Sequence, residues 1–328
     1  CSEIKELYNK YPFLKEVDSC SLRCAVFNLE DSFKNYFSKR TNYPKFKSKF
    51  NKQSFRTTCI KRIYKGKEYS NIILDLNNKK IKLPKLGFVD IRGYRNLKDI
   101  NGRIINATVE KETTNKYYVS VIFDEVQTIS SKVIPDNIVG IDLGIKDLVV
   151  TSDGEKYSNP KELLKREKRL KRLQRKLSRQ ERGSNNYYKT KLAIARLHSK
   201  IKNSRKHNII SIVNKLVKEH DIIISEKLNV RRMSSNHKLA KNILDASFNK
   251  VCQILKLKCN LLGKYYYQVD TYFPSSKKCS HCDMTTDKTK DLGVRNWTCI
   301  NCGCENDRDI NASVNIMFEG LKIYCQNN

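Results

Sequence analysis

What this chain has little of is negative charge. Its 328 residues hold 34 Asp and Glu against 65 Lys and Arg, a formal net charge of +31. A protein this basic repels itself and draws in polyanions, of which nucleic acid is the commonest. A merely solvated basic surface is the competing reading. Long apolar runs are missing as well. Nothing approaches the ~18 residues of a membrane span, and the positive charge is spread along the chain, not gathered beside an apolar anchor, which argues against membrane attachment. No signal peptide opens the sequence. It begins "CSEIKELYNKYPFL", without Met and already in helical pattern, so a fragment lacking its true N-terminus is expected. The 12 cysteines do not read as a disulfide scaffold either. They are closely paired in one region only, and Cys20, Cys24, Cys59, Cys252, Cys259 and Cys325 read as reduced thiols of a cytosolic protein.

What is there divides the chain by texture, and its length allows two or three domains. Residues 1–43 are helical, with Leu22, Val26, Leu29, Phe33 and Phe37 spaced by three and four as a stripe for core packing. From Pro44 to about residue 134, "YPKFKSKFNKQSFRTTC", "IILDLNNKKIKLPKLGFVDI" and "KYYVSVIFDEV" alternate apolar and polar residues around Asn, Gly and Pro, the pattern of strands and hairpins. Lysines interleaved with Phe and Tyr there suit phosphate contact and base stacking, although any single Phe reads first as core. Then "NIVGIDLGIKDLVVTSDG" gives a buried strand carrying one acid, Asp142, and a returning strand that ends in an Asp-Gly turn. "KELLKREKRLKRLQRKLSRQERG" repeats leucine at Leu163, Leu170 and Leu177, with Leu173 between, and "GSNN" breaks it before a second helix through Leu192, Leu197 and Ile201. This predicts a helical hairpin over 159–218 with a leucine seam. Its basic face, including Lys165, Arg169, Arg172, Arg175, Lys176 and Arg179, is free to grip a phosphate backbone, or is simply solvated. "HDIIISEKLNV" is another buried strand ending on an acid, Glu226, at the sheet edge where chemistry collects in α/β folds. A helix over 245–262 and a strand in "KYYYQVDTYF" follow.

Two constellations carry chemistry. Cys279-x2-Cys282 and Cys299-x2-Cys302 are separated by 16 residues. Two such turns aim four thiolates at one point, a closed tetrahedral site that suits structural zinc. Cys304 is an additional nearby thiol, and His281 reads as a surface residue. The second constellation is Asp142, Glu226 and Asp309. Acids brought together from separate elements can hold two Mg²⁺ or Mn²⁺ ions about 3.5–4 Å apart for phosphodiester chemistry, and hard oxygen donors select those ions over zinc. Glu305 and Asp307 lie close to Asp309, and Asp307 is the runner-up for the third position. Salt bridges with the abundant lysines and arginines are the plainer alternative.

Taken in order, "GIDLGIKDLVVTSDG", "ISEKLNV", "FPSSKKCSHC", "WTCINCG" and "NDRDINASVNI" resemble the RuvC-like nuclease of the TnpB (OrfB) family, transposon-encoded RNA-guided endonucleases of prokaryotes related to the type V CRISPR effectors. The resemblance covers residues 135–318 strongly and 8–130 more weakly, through "SFRTT" and the β segment. It implies an α/β plus β chain: a small helical recognition-like segment (1–43), a β-rich wedge-like nucleic-acid-binding domain (44–134), and an RNase H-like (RuvC) nuclease domain with the basic hairpin (135–270). An inserted zinc ribbon (271–304) and a last nuclease helix with the C-terminus (305–328) complete it. It further implies a guide RNA and target DNA as partners, no membrane, a cytoplasmic location at the nucleoid, Zn²⁺ as structural ion and Mg²⁺ or Mn²⁺ as catalytic ion. The family's catalytic Asp, Glu and Asp fall on Asp142, Glu226 and Asp309. Two departures stand out. Several dozen residues that usually precede this start are lacking, and Asp283 stands where Gly commonly follows the first cysteine pair. A cleavage-inactive RNA-guided DNA-binding regulator, or a transposase acting without RNA, are the other readings.

Overall fold

The structure, a computed structural model, describes residues 2–48, 52–93, 102–124, 131–287 and 293–327. Residues 49–51, inside the first of the predicted strand-like stretches, and 125–126, at the end of another, lie outside these. The chain divides into two units, Cys1–Gln127 and Thr128–Asn328.

The first unit opens with helices α1 (Ser2–Lys10) and α2 (Ser19–Phe37) and continues in strands β1 (Gln53–Thr58), β2 (Lys61–Tyr64), β3 (Lys67–Ser70), β4 (Ile73–Asp75), β5 (Lys80–Leu83), β6 (Gly87–Asp90), β7 (Arg103–Lys111) and β8 (Tyr117–Asp124). The strands pair antiparallel as β1-β7-β8, β4-β5-β6 and the hairpin β2-β3. Ile72, Ile81, Leu83 and Ala107 are buried between them, with Val119 and Val121 packed alongside. Asp18 starts α2 as its N-cap: the carboxylate accepts the Ser21 N–H at 3.0 Å and also the Thr57 hydroxyl at 2.6 Å, which ties the helix to β1. Here one expectation is overturned. Of the predicted core stripe, Val26, Leu29 and Phe37 are exposed. The helical period was right and the buried face was wrong. Cys20 is buried and Cys24 Sγ lies 3.7 Å from Thr58 Oγ1. These two share a face one turn apart, and Leu22 and Val26 sit two residues on from each, on the opposite side of the helix.

The second unit runs β9 (Ile138–Asp142), β10 (Asp147–Thr151), β11 (Lys156–Ser158), α3 (Glu162–Ser178), α4 (Asn185–Glu219), β12 (Ile222–Glu226), α5 (Val230–Met233), α6 (His237–Ala246), α7 (Phe248–Leu261), β13 (Tyr265–Val269), β14 (Asn296–Thr298), β15 (Glu305–Asp307) and α8 (Arg308–Asn327). Its main sheet has the order β11-β10-β9-β12-β13. The first three strands form an antiparallel meander, and β12 is parallel to both β9 and β13. Alternation assigns the two faces. Val139, Ile141 and Ile223 join the core under α4, α6 and α7, and Ile222, Ile224 and Val269 join Ile316 of α8 on the other side. Helices therefore cover both faces, as a partly parallel sheet with apolar strands requires.

The predicted helical hairpin is α3 and α4. Leu170, Leu197 and Ile201 are buried in its seam, with Leu163 and Leu173 beside them. Gly183, at φ +95°, makes the reversal, and Ser184 caps α4 by accepting the Tyr187 N–H. The helix predicted over 245–262 is α7, which starts three residues later at Phe248; α6, ahead of it, was not predicted. Ser247 takes a left-handed conformation, φ +57°, and breaks the chain between α6 and α7. No helix among the described residues is long and apolar enough to cross a membrane.

One glycine decides how closely α8 approaches the sheet. A Cβ on Gly140, in the middle of β9, would lie 2.6 Å from the Met317 backbone nitrogen and nearer still to the Ser313 carbonyl oxygen. Backbone cannot yield as a flexible side chain can. Gly140→Ala is therefore expected to destabilise the second unit by roughly 2–3 kcal/mol or more, read as a lower urea midpoint. An unchanged midpoint would mean that α8 does not pack against β9 in this way.

Candidate active site and metal centres

Asp142 ends β9 and Glu226 ends β12. The parallel register sets Ser225 beside Ile141, so the next position sets Glu226 beside Asp142, on the face that also carries Gly140 and Ile224. That face receives α8: Ser313 and Met317 meet Gly140, and Gly320 meets Ile224. Asp309 lies one turn ahead of Ser313 on the same stripe of α8, in the helix's first turn. Three acids from separate elements thus border one spot at the C-terminal edge of the sheet. Electrostatics reports the same convergence. Burial, then the neighbouring Glu226 and Asp309 charges, push the Asp142 carboxyl up to about 7, against some relief from Arg308. Burial also raises Glu226. The three sets of carboxylate oxygens are not drawn into a tight cluster. Among the described residues only the four zinc-type cysteines bring their ligand atoms within 4.8 Å of one another.

An arginine faces the third of these acids. Arg295 Nη1 donates to both Asp309 oxygens, at 2.9 and 3.1 Å. Asp307 has a different task. Its Oδ1 accepts the Asp309 and Ile310 N–H groups at 3.0 and 3.1 Å, capping α8, and its Oδ2 takes Lys156 Nζ at 2.6 Å. Burial pushes the Asp307 carboxyl up, but Lys156 and these N–H donors outweigh it and hold the group below its usual range.

Cys279, Cys282, Cys299 and Cys302 converge as one group, with Sγ···Sγ distances of 3.7 Å for Cys279–Cys302 and 3.6 Å for Cys282–Cys299. Each pair sits on a tight turn. Asp283 N–H bonds the Cys279 carbonyl at 3.0 Å and Gly303 N–H bonds the Cys299 carbonyl at 2.9 Å. Both turns need a left-handed residue, Gly303 at φ +72° and Asp283 at φ +62°. Asp283 occupies the place of the usual glycine at a cost that Asp tolerates better than most side chains, and Lys278 pairs with it at 2.8 Å. The closed set of four thiols fits a tetrahedral metal such as zinc, leaving no open position for chemistry. Cys304 stands outside the group; its carbonyl accepts the Cys299 N–H at 2.9 Å. His281 is exposed.

Sequence reasoning missed the joint between the two centres. Asn311 and Asn315 lie one turn apart on α8 and are buried. Asn311 accepts the Ser280 N–H at 2.9 Å and donates to the Lys278 carbonyl at 2.7 Å. Asn315 donates to the Ser275 and Lys278 carbonyls at 2.8 and 2.7 Å. The loop carrying the first cysteine turn is therefore clamped to the helix that carries Asp309. The signal was present in "DINASVNI": two Asn at i, i+4 fall on one face of the helix, and where that face packs they must find partners.

The six basic residues singled out on α3 are all exposed. Lys168 and Lys171 join Arg172, Arg175, Lys176 and Arg179 on one exposed face, at spacings of three and four. The start of α3 is held by Asp245, which accepts the Leu163 N–H at 3.1 Å and pairs with Arg205.

Comparison with known proteins gives the chain its relatives. The family OrfB_IS605, described as "Probable transposase", matches residues 121–237, and the Cas12f1-like TNB domain matches residues 248–316. A protein of Streptomyces pristinaespiralis named "Putative RNA-guided DNA endonuclease" is 35% identical over 94% of this chain and 73% of its own length. InsQ of Escherichia coli K12, which bears the same description, is 30% identical over 94% of this chain and 76% of its own. The fold resembles that of Cas12f1 solved with an sgRNA and target DNA, at a TM-score of 0.52 and 15% identity, covering 92% of this chain and 74% of that one. With a relative 35% identical over 94% of this chain and 73% of its own length, the chain belongs to the TnpB (OrfB) family, and both relatives named above bear the description "Putative RNA-guided DNA endonuclease".

Proposed function

We propose that this protein is an RNA-guided DNA endonuclease that hydrolyses target phosphodiesters at Asp142, Glu226 and Asp309. The observation that carries the reading is the convergence of these acids at one sheet edge, where Asp142 is pushed up to about 7 by burial and by its two acidic neighbours. Such a site favours a divalent cation with hard oxygen ligands. The sheet order, with an antiparallel meander followed by parallel strands, supports an RNase H-like, RuvC-type domain. Asp142 and Asp309 would hold Mg²⁺ or Mn²⁺, with Glu226 sharing them. When bound, two such ions supply an activated water and stabilise the leaving oxygen. The chain's own residues orient the ligands. Asp307 and Lys156 fix the first turn of α8, Gly140 lets that helix approach, and Arg295 offsets the charge of Asp309. The four-cysteine ribbon would hold zinc as a folding element. The guide would supply sequence specificity by pairing, while exposed arginines and lysines such as those of α3 grip the backbone of the nucleic acid, and the first unit takes the wedge and recognition roles.

The test is plasmid cleavage with guide RNA and Mg²⁺. Cutting that depends on both supports the reading; no cutting with any guide would favour a binding-only regulator. The protonation of Asp142 adds a sign. Its folded-state pKa is raised, so its contribution to stability is fully present below the ordinary carboxylate value of 3.8 and is lost as pH rises through about 7. Metal-free protein should thus lose thermal stability between about pH 4 and pH 7. Added Mg²⁺ should raise the melting temperature more at pH 8 than at pH 6, where protons compete for the ligands. Equal Mg²⁺ shifts at both pH values would count against Asp142 as a ligand.

A further inference from the structure

The misplaced stripe of α2 leads into a group of rings that the proposed active site does not use. Phe33, Tyr36, Phe37 and Tyr43 pack against one another at the end of the helix. Tyr36–Tyr43 and Tyr36–Phe37 have centroids 5.2 and 5.3 Å apart, Phe33–Tyr43 are edge-on at 5.8 Å, and Phe33–Phe37 are stacked at 6.3 Å. The backbone fixes them. Lys39 is left-handed at φ +57°, and the Arg40 and Thr41 N–H groups return to the Asn35 carbonyl, so the chain doubles back and lays Tyr43 on the helix. The rings are nevertheless open: Phe37 is 75% and Tyr43 62% exposed, and Phe46 further on is fully so.

Charge says what could cover them. Lys34, Lys39, Arg40, Lys45 and Lys47 accompany these rings, and no acid lies between Lys34 and Lys47. The nearest acids along the helix are Asp31, which is exposed, and Glu30, which is paired with Lys34 at 2.8 Å. A second copy docking through the same face would set this basic stretch against itself. Flat rings in a basic surround instead match unpaired nucleotides, whose bases stack while their phosphates meet the cations. We propose that the ring cluster at the end of α2 is a stacking platform for an unpaired segment of the guide RNA. Paired RNA hides its base edges in a deep, narrow groove, so proteins that engage bases take them from unpaired segments and stack them on aromatic side chains. The inference rests on the RNA-guided reading and adds where one unpaired stretch is held.

The experiment measures affinity of the full chain for its co-purifying RNA, for oligouridine and for oligothymidine, against salt, in the wild type, Phe37→Ala/Tyr43→Ala and Phe37→Leu/Tyr43→Leu. Both side chains are exposed, so thermal melting should change little. Both double variants should bind about tenfold to a hundredfold more weakly, the scale for removing base stacking, with the salt slope unchanged because no phosphate contact is lost. Lys39→Ala/Arg40→Ala should reduce the slope instead. Unchanged RNA affinity in the alanine variant overturns the platform. So does full affinity in the leucine variant, which would make the contact apolar and not stacked. A loss confined to oligothymidine would move the platform to DNA, and a wild-type dimer made monomeric by the alanines, with RNA affinity intact, would assign the face to self-association. A wild type that binds no RNA at all would sink the guided-nuclease reading itself, a different result from any of these.

Discussion

Asp142→Asn protein should bind guide and target and leave the DNA uncut. Asparagine keeps the shape of the side chain but removes the charge that attracts a cation, so cleavage should fall by about 10³ or more, as when one member of a group acting as a unit is lost. Glu226→Gln and Asp309→Asn should fall similarly, and combining any two should add little. Stability should move the other way. In the metal-free protein the Asp142 carboxylate is charged at pH 8 against the pull of burial and two acidic neighbours, so the neutral amide should raise the melting temperature in the absence of Mg²⁺. The Mg²⁺-induced shift should then disappear. Asp307→Asn separates this site from its surroundings: Asp307 is engaged by the α8 cap and Lys156, so its loss should lower stability more than it lowers the rate. A normal cleavage rate in Asp142→Asn would refute the proposed site, whatever the fold.

How far the sequence could be read depends on whether a feature is local. The apolar runs Ile138–Leu143 and Ile222–Ile224 announce buried strands because nothing else tolerates them so close to charge, and each ends on an acid that burial makes conspicuous. The cysteine pairs are local turns, and their convergence needs only one reversal. The leucine seam is periodic. What failed was non-local. Period alone cannot tell which side of α2 meets β1, because Cys20 and Cys24 are as good a packing face as Leu22 and Val26. Ser247 has no sequence mark of its left-handed turn; Gly or Asn would have signalled it. Asp307 and Asp309 look alike in "NDRDIN", yet one caps α8 and the other faces the sheet edge. Only the start of the helix separates them, and helix ends are where sequence patterns are weakest. Arg295 meets Asp309 from fourteen positions away, across the ribbon, where no spacing rule reaches.

Removing the ribbon's metal should disable cutting although that metal does no chemistry. The site's four thiols would otherwise be held by sulfur–sulfur proximity alone, and a structural zinc contributes folding free energy outright, with an apparent value of about 10–16 kcal/mol in isolated fingers at neutral pH. What makes the loss felt at a distance is the buried amide pair. Asn311 and Asn315 hold the Ser275–Ser280 loop against α8, and β15 runs directly into that helix. If the cysteine turns loosen, the loop's carbonyls leave these amides unpaired, and the first turn with Asp309 loses its support on one side. A displacement of about 1 Å at a catalytic group is enough for a hundredfold loss of rate. Cys279→Ser/Cys302→Ser should therefore lose bound zinc, measured by elemental analysis, and cut at least about a hundred times more slowly, while guide binding through the first unit and α3 persists. Asn311→Ala/Asn315→Ala should keep its zinc and still lose about tenfold to a hundredfold in rate, the scale for outer partners of a site, with a higher Mg²⁺ requirement as the mark of a displaced ligand. Zinc-free protein that cuts at the full rate would show that the ribbon and the acids are independent, and the amide clamp would then be packing and nothing more.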